Sequence, residues 1–211
     1  NTFSFHPVKH ITSGEGGLIT TDDPGLARKM RIFRNHGITT DHRERSEQGS
    51  WFYEMVDLGF NYRLTDIQCA LGLSQLKKLN GWVKRRQQIA KLYNTEFSET
   101  LGITPLGLKK GVSHAYHLYV VRVDSNVLGI DRSELFNALR AEGIGVNVHY
   151  VPVHLHPYYK NNFATEAGQC PVAEKAYQEI LSLPIFPMMS DEDVQSVVKS
   201  IKRISSQVLP R

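Results

Sequence analysis

The sequence predicts an α/β protein in two parts, and three observations carry that expectation. Short runs of β-branched and apolar residues alternate with amphipathic stretches of helical period. Acidic or hydroxyl residues stand where those stretches begin, as helix caps should. At 211 residues with 41% apolar content, the chain can bury a substantial core, and one or two domains suit that length.

Taken in order, Gly17–Thr21 reads as a short strand stopped by Asp22-Asp23-Pro24. The same trio starts a helix, with Asp23 as N-cap and Pro24 at the first helical position. This helix runs to Asn35 with Leu26, Met30 and Phe33 on one face, and Gly37 ends it. Residues 38–57 are polar, charged and aperiodic, and they read as a long loop. Thr65 caps a helical stretch that reaches Phe97, with Ile67, Leu71, Leu76 and Val83 among its periodic apolar positions. Asn80-Gly81 is the expected break. The second half changes character. His117–Asp124 alternates as a strand, Asp131–Glu142 is an amphipathic helix, and Gly145–Tyr150 is a second strand. A Pro/His/Tyr-rich loop then leads to a helix over Pro171–Leu181 and a closing helix from Ser190, whose SDED start complements the helix dipole. The two parts are expected to be residues 1–105 and 106–211.

Composition narrows the partners. A net charge of +4 spread over this length suits a phosphorylated small molecule better than a nucleic-acid backbone. Cys69 and Cys170 have no CxxC spacing and read as two buried, reduced thiols of a cytoplasmic protein. No apolar run approaches the roughly 18 residues of a membrane span. The chain opens on Asn1-Thr2 with no signal-like segment, so the expected N-terminus lies upstream. Three further motifs are set aside. Gly14–Gly17 (GEGG) lacks the Gly-Lys-Ser/Thr of a phosphate loop. Lys84-Arg85-Arg86 reads as a solvated helix face. His149, His154 and His156 include a nearby proline and no acidic partner, so no metal site is expected.

The stretch FSFHPVKHITSGEGG, Phe3–Gly17, holds the strongest candidate for chemistry. Lys9 lies among Phe3, Phe5, Pro7, Val8 and Ile11, with Ser4, Thr12, Ser13 and Gly14 as small neighbours. A desolvated lysine is a competent Schiff-base nucleophile, and nearby hydroxyl and N–H groups suit a phosphate. The alternative is an ordinary surface lysine in a loop.

FSFHPVKHITSGEGGLITTDD, RNHG, LGFNYRLTDIQCALGLSQLKKL and GVNVHY, in this order and spacing, resemble the DegT/StrS-type nucleotide-sugar aminotransferases, a branch of the fold-type I pyridoxal phosphate (PLP) enzymes. The His-Pro-Val before the lysine and the Ile-Thr after it are most similar to the branch that aminates C4 of a UDP-linked 4-keto-6-deoxy sugar, as in pseudaminic acid synthesis. In that family the lysine lies near the middle of a longer chain. The resemblance therefore implies the C-terminal half of such an enzyme: part of the PLP-binding large domain with its long interdomain helix, then an α/β small domain. The upstream half would supply the phosphate turn, the group over the cofactor ring and the Asp facing the pyridinium nitrogen.

Carried over residue by residue, the resemblance implies Lys9 as the cofactor's Schiff-base lysine and general base. It implies Ser4 as a ligand of the cofactor phosphate. Asn61 would reach the phosphate or substrate of a neighbouring subunit, so a homodimer with shared sites is implied. Asn147, Val148, His149 and Tyr150 would line the nucleotide-sugar site. His6 and Arg63 sit within matched motifs and are weaker candidates for ligand contact. The amino donor would be glutamate, the pathway cell-surface polysaccharide synthesis, and residues 1–211 alone are expected to be inactive. The alternatives are C3 amination of another nucleotide sugar, or a non-catalytic relative that keeps the fold for binding or regulation.

Overall fold

The first strands, β1 (Thr2–Ser4) and β2 (Gly17–Ile19), pair antiparallel in the computed structural model, which describes residues 1–208. Helix α1 (Pro24–Phe33) starts where expected: the Asp23 carboxylate accepts the Leu26 N–H at 3.0 Å, and Pro24 occupies the first turn. The stretch read as a loop contains a helix, α2 (His42–Glu47), closed at its N-terminus by a reciprocal Asp41–Glu44 capping box. Its residues carry no apolar period, so only the Asp-x-x-Glu spacing marks it.

Helix α3 (Asp66–Leu76) begins at the Thr65 cap, reinforced by Gln68, and helix α4 (Leu79–Phe97) follows. The break lies at Lys77-Lys78 rather than at Asn80-Gly81. Gly81 falls in the first turn of α4, where its N–H needs no intrahelical partner and its cost is small.

Beyond α4, strands β3 (Ile103–Pro105), β4 (Tyr119–Val123) and β5 (Ile180–Leu183) form an antiparallel sheet in the order β3-β4-β5. Helices α5 (Ser125–Leu128), α6 (Arg132–Ala141), α7 (Pro157–Phe163), α8 (Pro171–Glu179) and α9 (Asp191–Val208) complete this part. Two expectations are corrected here. The helix expected over Pro171–Leu181 stops at Glu179, because Ile180–Leu183 pair with Arg122–Tyr119 of β4. The strand expected at Gly145–Tyr150 is reduced to one bridge, Asn147 with Ser182. Beside that bridge the Val148 N–H, which points away from β5, donates to the Asn147 Oδ1 at 2.8 Å.

The chain divides into two compact units, Asn1–Leu79 and Asn80–Arg211. The division falls at the first residue of α4 because that helix puts Ile89, Ala90, Tyr93 and Phe97 into the second unit's core, beside Val121, Leu135, Leu181 and Ile201. Helix α9 contributes Val194, Val197, Val198, Ile201 and Ile204, one stripe at helical spacing. Among the described residues, all the buried hydrophobic side chains belong to the second unit. The first unit instead exposes Phe3, Leu18 and Ile19 of the hairpin, Leu26 and Phe33 of α1, and Ile67, Leu71, Leu73 and Leu76 of α3.

Other readings also change. Cys69 and Cys170 are free but exposed rather than buried: Cys69 lies on the uncovered α3, and Cys170 at the N-cap of α8. Of Lys84-Arg85-Arg86, the two arginines are anchors rather than a solvated face. Arg85 donates to the Met189 carbonyl and pairs with Asp191 at 2.8 Å. Arg86 is buried and donates to the carbonyls of Tyr116, His117 and Ile185, and burial lowers its pKa. Among the described residues, no helix is long and apolar enough to cross a membrane.

Candidate functional site

Lys9 closes a turn at the tip of the β1–β2 hairpin. Its N–H donates to the His6 carbonyl at 3.0 Å, so residues 6–9 fold back on themselves. The hairpin carries on past the strands through Phe5 N–H to the Gly16 carbonyl at 2.8 Å. The Phe5 carbonyl then accepts both the Thr12 hydroxyl at 2.7 Å and the Ser13 N–H at 3.2 Å. These bonds tie the two ends of the lysine turn together.

Helix α3 holds the loop from below. The Gln75 Oε1 accepts the Thr12 N–H at 2.9 Å, and the Gln68 amide donates to the Glu15 carbonyl at 3.3 Å. Ser13, one of the first unit's few buried residues, turns its hydroxyl to the same Glu15 carbonyl at 2.7 Å. Gly16 suits this turn chiefly through its φ of +136°, a conformation that residues with side chains rarely adopt, and a Cβ would also press the Leu64 Cδ2 at 2.5 Å. The small residues thus have a structural use, packing a backbone loop onto a helix. Neither glutamine was singled out from sequence, although both lie on the loop-facing side of the α3 motif.

Lys9 is half-buried, but its expected apolar collar is open: Phe3 and Val8 are exposed. Ser4 is also exposed, and its Oγ accepts the His6 N–H at 3.4 Å, which leaves the hydroxyl proton to donate elsewhere. The His6 ring turns inward to the loop, with Nδ1 accepting the Val8 N–H at 3.4 Å and Nε2 lying 3.8 Å from Glu15.

Asn61 lies in a second arrangement within the same unit. The segments 33–37 and 59–63 pair through Phe60 N–H to Phe33 O, His36 N–H to Phe60 O and Tyr62 N–H to Arg34 O, with Asn35 bridging to Asn61. Arg63 donates to the Asn35 Oδ1 at 2.7 Å, so its partner is an amide rather than a carboxylate. Two glycines permit this contact. A Cβ on Gly59 would lie 2.1 Å from the Gly37 nitrogen, and one on Gly37 would meet the Asp57 carbonyl at 1.7 Å. The Asn61 side chain is exposed.

The remaining candidates belong to the second unit. Asn147 and Ser182 exchange both backbone hydrogen bonds, at 3.1 and 2.8 Å. The His149 Nδ1 lies 2.8 Å from the Ser182 Oγ, and the exposed Tyr150 ring meets the His149 ring edge-on at 4.6 Å. Val148 packs partly against the core. His154 has an acidic partner after all, Glu174 at 2.8 Å, twenty residues along the chain and invisible to a local reading. His149 and His154 therefore face a serine and a glutamate respectively. Among the described residues, no group of three or more His, Cys, Asp or Glu side chains could hold a metal ion.

A primary amine on a clamped turn and a hydroxyl with a spare proton, five residues apart on one hairpin, form a donor set suited to a group bearing both an aldehyde and a phosphate. Comparison with known proteins agrees with that chemistry. Residues 1–202 match the DegT/DnrJ/EryC1/StrS aminotransferase family. The spore coat polysaccharide biosynthesis protein SpsC of Bacillus subtilis is 44% identical over 205 residues, covering 96% of this chain and 52% of that protein. Among solved structures, Helicobacter pylori PseC, an aminotransferase involved in pseudaminic acid biosynthesis, superposes with a TM-score of 0.87 at 32% identity, over 98% of this chain and 53% of its own. Spr1654 of Streptococcus pneumoniae, solved in its PLP form, gives a TM-score of 0.85 at 32% identity, over 99% and 52%. The chain spans about half the length of the curated relatives it matches. Its fold is that of fold-type I sugar aminotransferases, whose cofactor is pyridoxal phosphate.

Proposed function

Since the chain belongs to the DegT/DnrJ/EryC1/StrS aminotransferase family, we propose that it carries the lysine half of a PLP-dependent transaminase, which moves an amino group from glutamate to C4 of a UDP-linked 4-keto-6-deoxy sugar. The clamped Lys9 turn is the observation that carries this reading. On this reading, residues 1–105 complete the cofactor-binding domain and residues 106–211 form the small domain.

When bound, pyridoxal phosphate supplies an aldehyde for amine exchange and an electron-withdrawing ring. Lys9 Nζ would hold it between turnovers and would act as base, taking the proton from the donor's α-carbon and delivering one to the acceptor carbon. The Ser4 hydroxyl donates to the phosphate, a charge-assisted bond that fixes the cofactor relative to the lysine. The Gln75 and Gln68 contacts keep the turn from drifting, so the amine is presented in one place. Asn147–Tyr150 line the nucleotide sugar, and Asn61 reaches across to the site of a second subunit. The similarity to PseC and SpsC supports a sugar acceptor and polysaccharide synthesis.

The full-length protein, supplied with glutamate and a UDP-4-keto-6-deoxyhexose, is expected to yield a product whose amine is on C4 by NMR. An amine on C3 would reassign the acceptor, and no amine transfer with PLP loaded would leave only a binding role.

A further inference from the structure

Ser182 is a polar residue in an otherwise apolar strand. Its β5 neighbours Leu181 and Leu183 are 0% and 4% exposed, and it is itself 5% exposed on the opposite face. Its backbone bonds run to one edge of β5. Val120 is its ladder neighbour on β4, and Asn147 takes both of its main-chain bonds on the other side. Its Oγ meets the His149 Nδ1 at 2.8 Å.

These contacts divide the labour. The two main-chain bonds already fix the register of Asn147, and Asn147 Oδ1 already caps the Val148 N–H. The hydroxyl therefore adds no backbone anchor; what it sets is the rotation of the His149 ring. That rotation passes on to Tyr150, which stands at 85° to His149 and is 71% exposed. Buried hydroxyls keep their partners because leaving one unpaired in an apolar setting is costly, so the ring is held in one orientation.

We propose that Ser182 is a positioning residue for nucleotide-sugar binding, acting by orienting His149 and through it Tyr150. The proposal rests on the reading of Asn147–Tyr150 as the segment that lines the substrate. The test is calorimetric titration of the full-length protein with UDP-N-acetylglucosamine, a non-reacting UDP sugar, alongside the rate of the half-reaction with glutamate. Ser182→Ala and the size-matched Ser182→Cys are expected to weaken binding about five- to tenfold, while Ser182→Thr, which keeps the hydroxyl, stays within about twofold. The glutamate half-reaction should not change, a split that a general loss of structure would not produce. His149→Ala should match Ser182→Ala, and the double variant should lose no more than either alone. If His149→Ala weakens binding but Ser182→Ala and Ser182→Cys bind normally, the positioning role is wrong and the substrate reading stands. Additive losses in the double variant overturn the role too. If neither position affects binding, or the unaltered protein does not bind, the substrate reading fails and takes the proposal with it.

Discussion

Little of the setting of Lys9, the proposed reactive residue, lies in the residue itself. Its turn is held by main-chain bonds and by two glutamines from α3, more than fifty residues along the chain. At the same scale, Glu174 gathers three contacts: the His154 ring at 2.8 Å and the N–H groups of Gly168 and Cys170. The His154 bond chiefly, with help from those N–H groups, holds the carboxyl below its ordinary value of 4.5. A carboxylate whose folded pKa is depressed stabilises the fold above its unfolded value, and that contribution is lost as pH falls through the folded one. Glu174→Gln is therefore expected to lower Tm at neutral pH and to soften the fall in Tm below about pH 4.5. Superimposable acid limbs in the two proteins would show that the carboxylate does not have this role.

Elements explain where the pairing segments come from. The 33–37 and 59–63 segments approach so closely that neither Gly37 nor Gly59 has room for a side chain, and the atoms in the way are backbone. Gly59→Ala should thus cost at least about 2 kcal/mol and detach the Asn61 segment. The check is a melt with limited proteolysis, which should show new cleavage between residues 50 and 63; an unchanged pattern would mean the contact is soft.

Helix starts were legible because caps are local: Asp23, Thr65 and Asp131 each accept the N–H their position requires. Strand ends were not, because pairing is decided at a distance. Ile180-Leu181 continue the apolar pattern of α8, yet their partners on β4 draw them into the sheet. Gly145–Tyr150 alternates as a strand should, yet among the described residues it meets β5 in the single bridge Asn147–Ser182. The candidate site divides in the same way. Lys9, Ser4 and the 147–150 segment stand within motifs, whereas Ser182 and Glu174 act only through contacts that folding creates.

At the scale of the whole molecule, the two units differ in kind. The second has its own core from Ile89 to Ile204, while the apolar faces of the hairpin, α1 and α3 in the first are exposed. Apolar area of that extent marks surface meant to be covered. Part of the covering is proposed to come from a second subunit, whose site Asn61 would serve. Mixing full-length Lys9→Ala with Asn61→Ala chains in equal amounts should then restore about a quarter of the activity, because random exchange makes half of the dimers hybrids and each hybrid holds one intact site of two. No recovery, with subunit exchange demonstrated, would mean each subunit builds its site alone.

Covalent attachment at Lys9 is the central claim, and one measurement reaches it directly. The full-length protein is loaded with PLP, reduced with borohydride, digested and mapped by mass spectrometry. One pyridoxyl group per chain is expected on the peptide containing Lys9, and none in Lys9→Ala. A pyridoxyl group on any other lysine, or unlabelled Lys9 in protein that retains the cofactor, would contradict it.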